Sequence, residues 1–102
     1  RNGYTLRVLN KTRDAVDFRL TVTGLPGATL VVQDVGEAAA DTGVTLPTRP
    51  GTAETFRIFI IAPKGTVTAD STPVDFVLSD PASGDGDTYD AVFMGPAAAR
   101  RH

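Results

Sequence analysis

Through most of this chain apolar and polar side chains alternate with period two, and each alternating stretch is cut short by Gly, Pro or Asp. That period sends successive side chains to opposite faces of an extended strand, and no window sustains the 3.6-residue stripe of an amphipathic helix. The clearest run is Asp17 to Thr23, with Phe18, Leu20 and Val22 on one face and Arg19, Thr21 and Thr23 on the other. Before it, Tyr4 to Asn10 sets Tyr4, Leu6 and Val8 against Thr5, Arg7 and Leu9. Gly24-Leu25-Pro26-Gly27 then breaks the second strand, since Pro cannot donate to a ladder and Gly admits the positive φ of a tight turn. Thr29 to Gln33 reads as a third strand. The segment 36–43 (GEAAADTG) reads as a loop with at most one helical turn, because Ala38-Ala39-Ala40 has no long apolar face to bury. Val44 to Leu46 is short and flanked by Pro47 and Pro50, which marks an edge strand.

Thr55 to Ile61 is the most apolar stretch. Phe56, Ile58 and Ile60 share one face, while Arg57, Phe59 and Ile61 share the other, and two apolar faces signal a central strand or one whose outer side is covered. Pro63-Lys64-Gly65 ends it. Val74 to Ser79 alternates again, an acidic linker runs from Asp80 to Asp87, and Thr88 to Met94 sets Tyr89, Ala91 and Phe93 opposite Asp90, Val92 and Met94, with Gly95-Pro96 as the stop.

About seven strands with no helical crossover between them predict an all-β, immunoglobulin-like (fibronectin-III-like) antiparallel sandwich, with a closed barrel as the alternative. The expected core is Phe18, Leu20, Val22, Phe56, Ile58, Val74, Phe76, Leu78 and Phe93. At 102 residues the chain has room for one core. We expect one domain over 1–96 and a C-terminal tail over 97–102. No apolar run approaches the roughly 18–20 residues of a membrane span, and the chain reads as a soluble domain cut from something longer.

Composition removes several chemistries. There is no cysteine, so no disulfide, thiolate metal site or iron–sulfur cluster can form within the chain. A net charge of -2 and scattered Lys and Arg leave no basic stripe for nucleic acid. The one histidine, His102, is the last residue, where an imaginable triad has no positioned imidazole. Met94 and His102 together do not make a copper site, and Met94 is expected to pack at a strand end. The acidic run Asp80-Pro81-Ala82-Ser83-Gly84-Asp85-Gly86-Asp87, with Asp90, lacks the spacing of a calcium loop and reads as surface turn. Asn10-Lys11-Thr12 matches the glycosylation sequon and reads as a solvated turn. No catalytic, cofactor or metal residues are therefore assigned to the domain.

The opening RNGYTLRVLNKT, the strand exit TVTGLPG, the strand FRIFIIAP and the closing YDAVFMGP occur in an order that resembles the C-terminal domain of the FixG (CcoG) family of cytochrome c oxidase accessory proteins. The end motifs Arg1-Asn2-Gly3-Tyr4 and Phe93-Met94-Gly95-Pro96 are the most distinctive pieces. The resemblance implies a bacterial inner-membrane parent with iron–sulfur clusters, serving maturation of cbb3-type oxidase and linked to copper supply. In that setting the chain is a noncatalytic interaction or positioning module on the periplasmic face, its partners being oxidase subunits, assembly factors, another part of the parent chain or a second copy. The family's redox residues do not map onto this chain. The alternative is an unrelated extracellular adhesion or carbohydrate-binding module, for which an aromatic groove is required; Tyr4 and Tyr89, the only tyrosines, both fall on inward registers. For a protein partner the expected surface is the second face of the apolar strand, an outward patch at Phe59 and Ile61 guarded by Arg57 alone.

Overall fold

The computed structural model describes residues 2–63, 71–84 and 86–94. Among them are eight strands and no helix: β1 (Asn2–Leu9), β2 (Val16–Thr23), β3 (Thr29–Val32), β4 (Gly36–Ala39), β5 (Val44–Thr48), β6 (Ala53–Ile61), β7 (Ser71–Ser79) and β8 (Gly86–Met94). They form two four-stranded antiparallel sheets, ordered β1-β6-β3-β4 and β5-β2-β7-β8. The sandwich is thus the architecture, and β6 is an interior strand, one of the two placements its two apolar faces signal. The expected stop at Lys64-Gly65, the Gly95-Pro96 stop, the tail over 97–102 and His102 lie outside the described residues.

The core sits between the inner faces. Leu20 on β2, Leu30 on β3, Leu46 on β5, and Ile58 and Ile60 on β6 have no exposure to solvent. All the expected core residues are buried except Phe18, which is half-buried and packs against the rim of the cluster. Arg19 is exposed beside fully buried Leu20, so the register of β2 is the one its alternation predicts.

Three expectations are corrected. The segment read as a loop contains β4, which pairs with β3 from Val32↔Gly36 to Thr29↔Ala39. A turn closed by Val35 N–H donating to the Val32 carbonyl (3.0 Å) reverses the chain, with Asp34 at φ 65°, a conformation Asp tolerates. Strand pairing overrides the Ala-rich composition there. Met94 does not pack inward; it stands 48% exposed on the outer side of β8.

The sequon residue is the third correction. Asn10 is 1% exposed and its amide is fully engaged. Its Nδ2 donates to the Asp14 carbonyl (2.9 Å) and to Thr48 Oγ1 (3.2 Å), and its Oδ1 accepts from the Thr12 N–H (2.9 Å) and hydroxyl (2.7 Å). Its backbone N–H donates to the Thr52 carbonyl at 2.9 Å, and Thr48 Oγ1 in turn donates to the Val16 carbonyl at 2.7 Å. One side chain therefore joins the exit of β1, the start of β2 and the end of β5.

Proline falls where the ladders permit it. Pro47 lies on edge strand β5, opposite Asp17. Pro73 lies on interior β7, yet β2 ends at Thr23 opposite Asp75, so only β8 faces Pro73. Gly24, at φ 106°, turns the chain against this point; a Cβ there would lie 2.7 Å from the Pro73 carbonyl oxygen. The Gly-Leu-Pro-Gly exit is thus held to glycine by close approach as well as by backbone sign.

Asn10→Ala is expected to lower the unfolding free energy by about 2–3 kcal/mol, because it strips several buried groups of partners at once. Urea denaturation of the variant measures this, and a loss below about 0.5 kcal/mol would show that water replaces the amide without penalty.

Candidate interaction surfaces

The outer face of the first sheet is built around β6. Register places Gly3, Phe59 and Val31 in one row across β1, β6 and β3, with Glu37 of β4 beside Val31. The Phe59 ring lies across the β1 backbone at Gly3, where a Cβ would meet its Cε1 at 3.2 Å. The Arg57 guanidinium stands 5.7 Å from the ring centroid on a neighbouring flank, close enough for a cation–π attraction. Ile61, opposite Thr29, is 40% exposed. Phe59, Ile61 and Arg57 thus share one face, together with Val31, whose place beside Phe59 depended on a pairing between strands far apart in sequence. Phe59 is half-buried, because the missing side chain of Gly3 lets the ring settle onto β1.

A second surface lies at the seam where edge strands β1 and β8 of opposite sheets approach. The Asn2 side chain acts as a substitute strand partner for Met94: its Oδ1 accepts from the Met94 N–H (3.0 Å) and its Nδ2 donates to the Met94 carbonyl (3.1 Å). Two residues along, the Tyr4 hydroxyl donates to the Val92 carbonyl at 2.8 Å. The Tyr4 ring meets Phe76 edge-on, centroids 5.0 Å apart, and partial burial raises its hydroxyl pKa. Beyond this clamp the seam opens into a cleft of about 260 Å³ lined by Tyr4, Leu6, Ile58, Phe76, Tyr89 and Ala91 among others. Tyr89 holds the inward register opposite Phe76 but is 43% exposed, because β8 has no neighbour on that side among the described residues.

The clamp brings together the first and last motifs of the chain, and comparison with known proteins agrees with their kinship. A family model described as the IG-like fold at the C-terminal of FixG, a proposed oxidoreductase, matches residues 1–96. The chain belongs to this FixG C-terminal family. It is 33% identical over 102 residues to the nitrogen fixation protein FixG of Rhizobium meliloti (strain 1021), covering 99% of this chain and 19% of that protein. It is 36% identical over 97 residues to protein RdxB of Cereibacter sphaeroides, covering 93% of this chain and again 19% of the relative. The chain therefore spans about one fifth of the length of these relatives. Among solved structures, a FixG-related protein from Vibrio parahaemolyticus superposes with a TM-score of 0.77 at 22% identity, over 93% of this chain and 78% of that one, which shows the shared fold.

In this FixG-type domain the acidic linker begins with a carboxylate that is engaged locally, while Asp85 lies outside the described residues. Asp80 Oδ1 accepts the Ala82 N–H and Oδ2 accepts the Ser83 hydroxyl, both at 3.0 Å, so the carboxylate shapes its own turn. Among the described residues no group of three or more His, Cys, Asp or Glu side chains is placed to hold a metal ion. Asp75 and Asp90 stand directly opposite on the outer face of the second sheet. A side-chain hydrogen bond with Asp90, then desolvation, then the like charge of Asp90 raise the Asp75 pKa.

That shift has a definite sign. The folded state holds the Asp75 proton more tightly than the unfolded chain, so the stabilising contribution is present at acid pH and is lost as pH rises through the raised value. Asp90→Asn should increase the melting temperature at pH 7 and flatten the decline between the carboxylate range and neutrality; equal pH profiles for the two proteins would refute the coupling. For the first surface, Gly3→Val should displace the Phe59 ring and destabilise the fold by about 1–3 kcal/mol, whereas Thr5→Val on the same face should stay within about 0.5 kcal/mol, both read from denaturant midpoints.

Proposed function

We propose that this domain is a noncatalytic docking and positioning element on the periplasmic face of the inner membrane, within a FixG-type protein that serves assembly of cbb3-type cytochrome oxidase. In this reading the iron–sulfur redox chemistry and the link to copper supply belong to the remainder of the parent, and the domain holds an oxidase subunit or assembly factor in place. The observation that carries it is the outward apolar group on the two interior strands of the first sheet, Phe59 and Ile61 on β6 and Val31 on β3, rimmed by Arg57 and Glu37. An apolar centre on the solvent side of interior strands, with a charged rim, is the composition of a protein-binding patch. Membership of the FixG C-terminal family supports the setting.

The test uses the full-length protein. Ile61→Asp places a charge on a side chain that is already 40% exposed, so folding should be retained. We expect the amount of assembled cbb3-type oxidase in membranes to fall several-fold while the level and thermal unfolding of the variant protein match the parent. Unchanged oxidase with unchanged folding would remove this face as the docking surface.

A further inference from the structure

Each sheet ends in two edge strands, and three of the four are visibly protected against added pairing. β4 is only 4 residues long. β5 has 5 residues and carries Pro47. β8 has the Val92 carbonyl taken by Tyr4 and both backbone groups of Met94 taken by Asn2, and bears Asp87 and Asp90 along the rest. Short length, proline, charge and capped backbone groups are the usual ways in which edges are blunted. β1 has only one of them, the single charge of Arg7. It is 8 residues long, contains no proline, and pairs with β6 without a bulge from Asn2↔Ile60 to Leu9↔Ala53. Every second residue of such an edge turns its N–H and C=O away from the sheet, and among the described residues nothing pairs with them.

The same edge borders incompletely covered apolar surface. Tyr4 and Leu6 belong to the rim of the core but are only half-buried, and with exposed Tyr89 they line the open cleft between β1 and β8. A strand added in the plane of β1 would point alternate side chains over this cleft. It would not collide with the clamp, because the Asn2 and Tyr4 side chains reach across to β8 from the inner face of β1.

We propose that in the full-length protein the free edge of β1 is paired by a short strand of roughly 5–10 residues from the polypeptide immediately N-terminal to Arg1, which extends the first sheet and closes the cleft over Leu6 and Tyr89. The occupant is argued from chain length and position. The relatives are about five times longer than this chain, and the family is defined at the C-terminal of FixG, so the bulk of such a protein precedes the domain. A segment entering at Asn2 needs only a tight turn to lie antiparallel along β1, the connection that loses least entropy. The domain would then be fixed to the preceding body by a hydrogen-bonded strand in place of a loose tether. This proposal concerns an edge and the docking reading concerns a sheet face, so either can fail alone.

Amide hydrogen exchange on the full-length protein tests it. Peptides covering Asn2–Leu9 and the ten residues before Arg1 should both be protected to the level of β6. Replacing those ten residues with a Gly-Ser sequence of equal length should speed exchange in β1 at least tenfold while β7 is unchanged. In parallel, Tyr89→p-benzoylphenylalanine should photo-cross-link to the preceding segment of the same chain. The proposal is overturned if β1 exchanges as fast as the turn at 80–84 in the intact protein, if its protection survives the Gly-Ser replacement, or if the cross-link joins a second copy or another protein.

Discussion

With no cysteine in the chain and no cluster of metal-holding side chains among the described residues, this sandwich depends on one apolar layer. Leu20 and Leu46 from one sheet meet Leu30, Ile58 and Ile60 from the other, and each is withdrawn completely from water. Removing apolar surface from water is the dominant favourable contribution to folding, and here it also dictates detail. A slip of one residue in β2 would bury Arg19 and expose Leu20, so the layer enforces register as well as cohesion. The close turn at Gly24 has a different origin: it meets Pro73 within the second sheet, where the pairing of β2 with β7 brings the two backbones together.

Much of this layer is legible along the chain because strands repeat every two residues and carry β-branched and aromatic side chains. Phe18 to Val22 and Val74 to Leu78 declare their faces directly. What the pattern conceals is pairing over distance. β4 reads as loop because Gly36 to Ala39 has no strand-forming side chains of its own, and it becomes a strand because β3 supplies a partner. Asn10 reads as a wet turn because its partner Thr48 lies 38 positions away. Tyr89 holds an inward register yet meets solvent, since a position on an edge strand can face inward with nothing beside it.

The candidate surfaces divide in the same way. Phe59, Ile61 and Arg57 could be placed on one face from local alternation, while the settling of Phe59 onto Gly3 required the register of β1 against β6. The clamp between Asn2, Tyr4 and β8 was invisible locally, as its members stand 88 and 92 residues apart. Yet Asn2, Tyr4 and Met94 lie in the two end motifs on which the resemblance was first drawn. Gly3 seats an aromatic ring, and Asn2 and Tyr4 satisfy an edge, so the short opening motif has a structural role at three consecutive positions.

The clamp also determines how the domain would bear a load. The Asn2 end of β1 and the Met94 end of β8 lie side by side at one pole of the sandwich, tied by side-chain to backbone bonds. Tension drawn between those two ends would fall first on the Asn2 amide and then on the Tyr4 hydroxyl, one after the other. Bonds loaded in sequence resist less than bonds loaded together, and the fully buried residues of the apolar layer are not among those loaded first. The pole that carries both end motifs is thus mechanically the soft end of the domain, and the interior of each sheet is the stiff one.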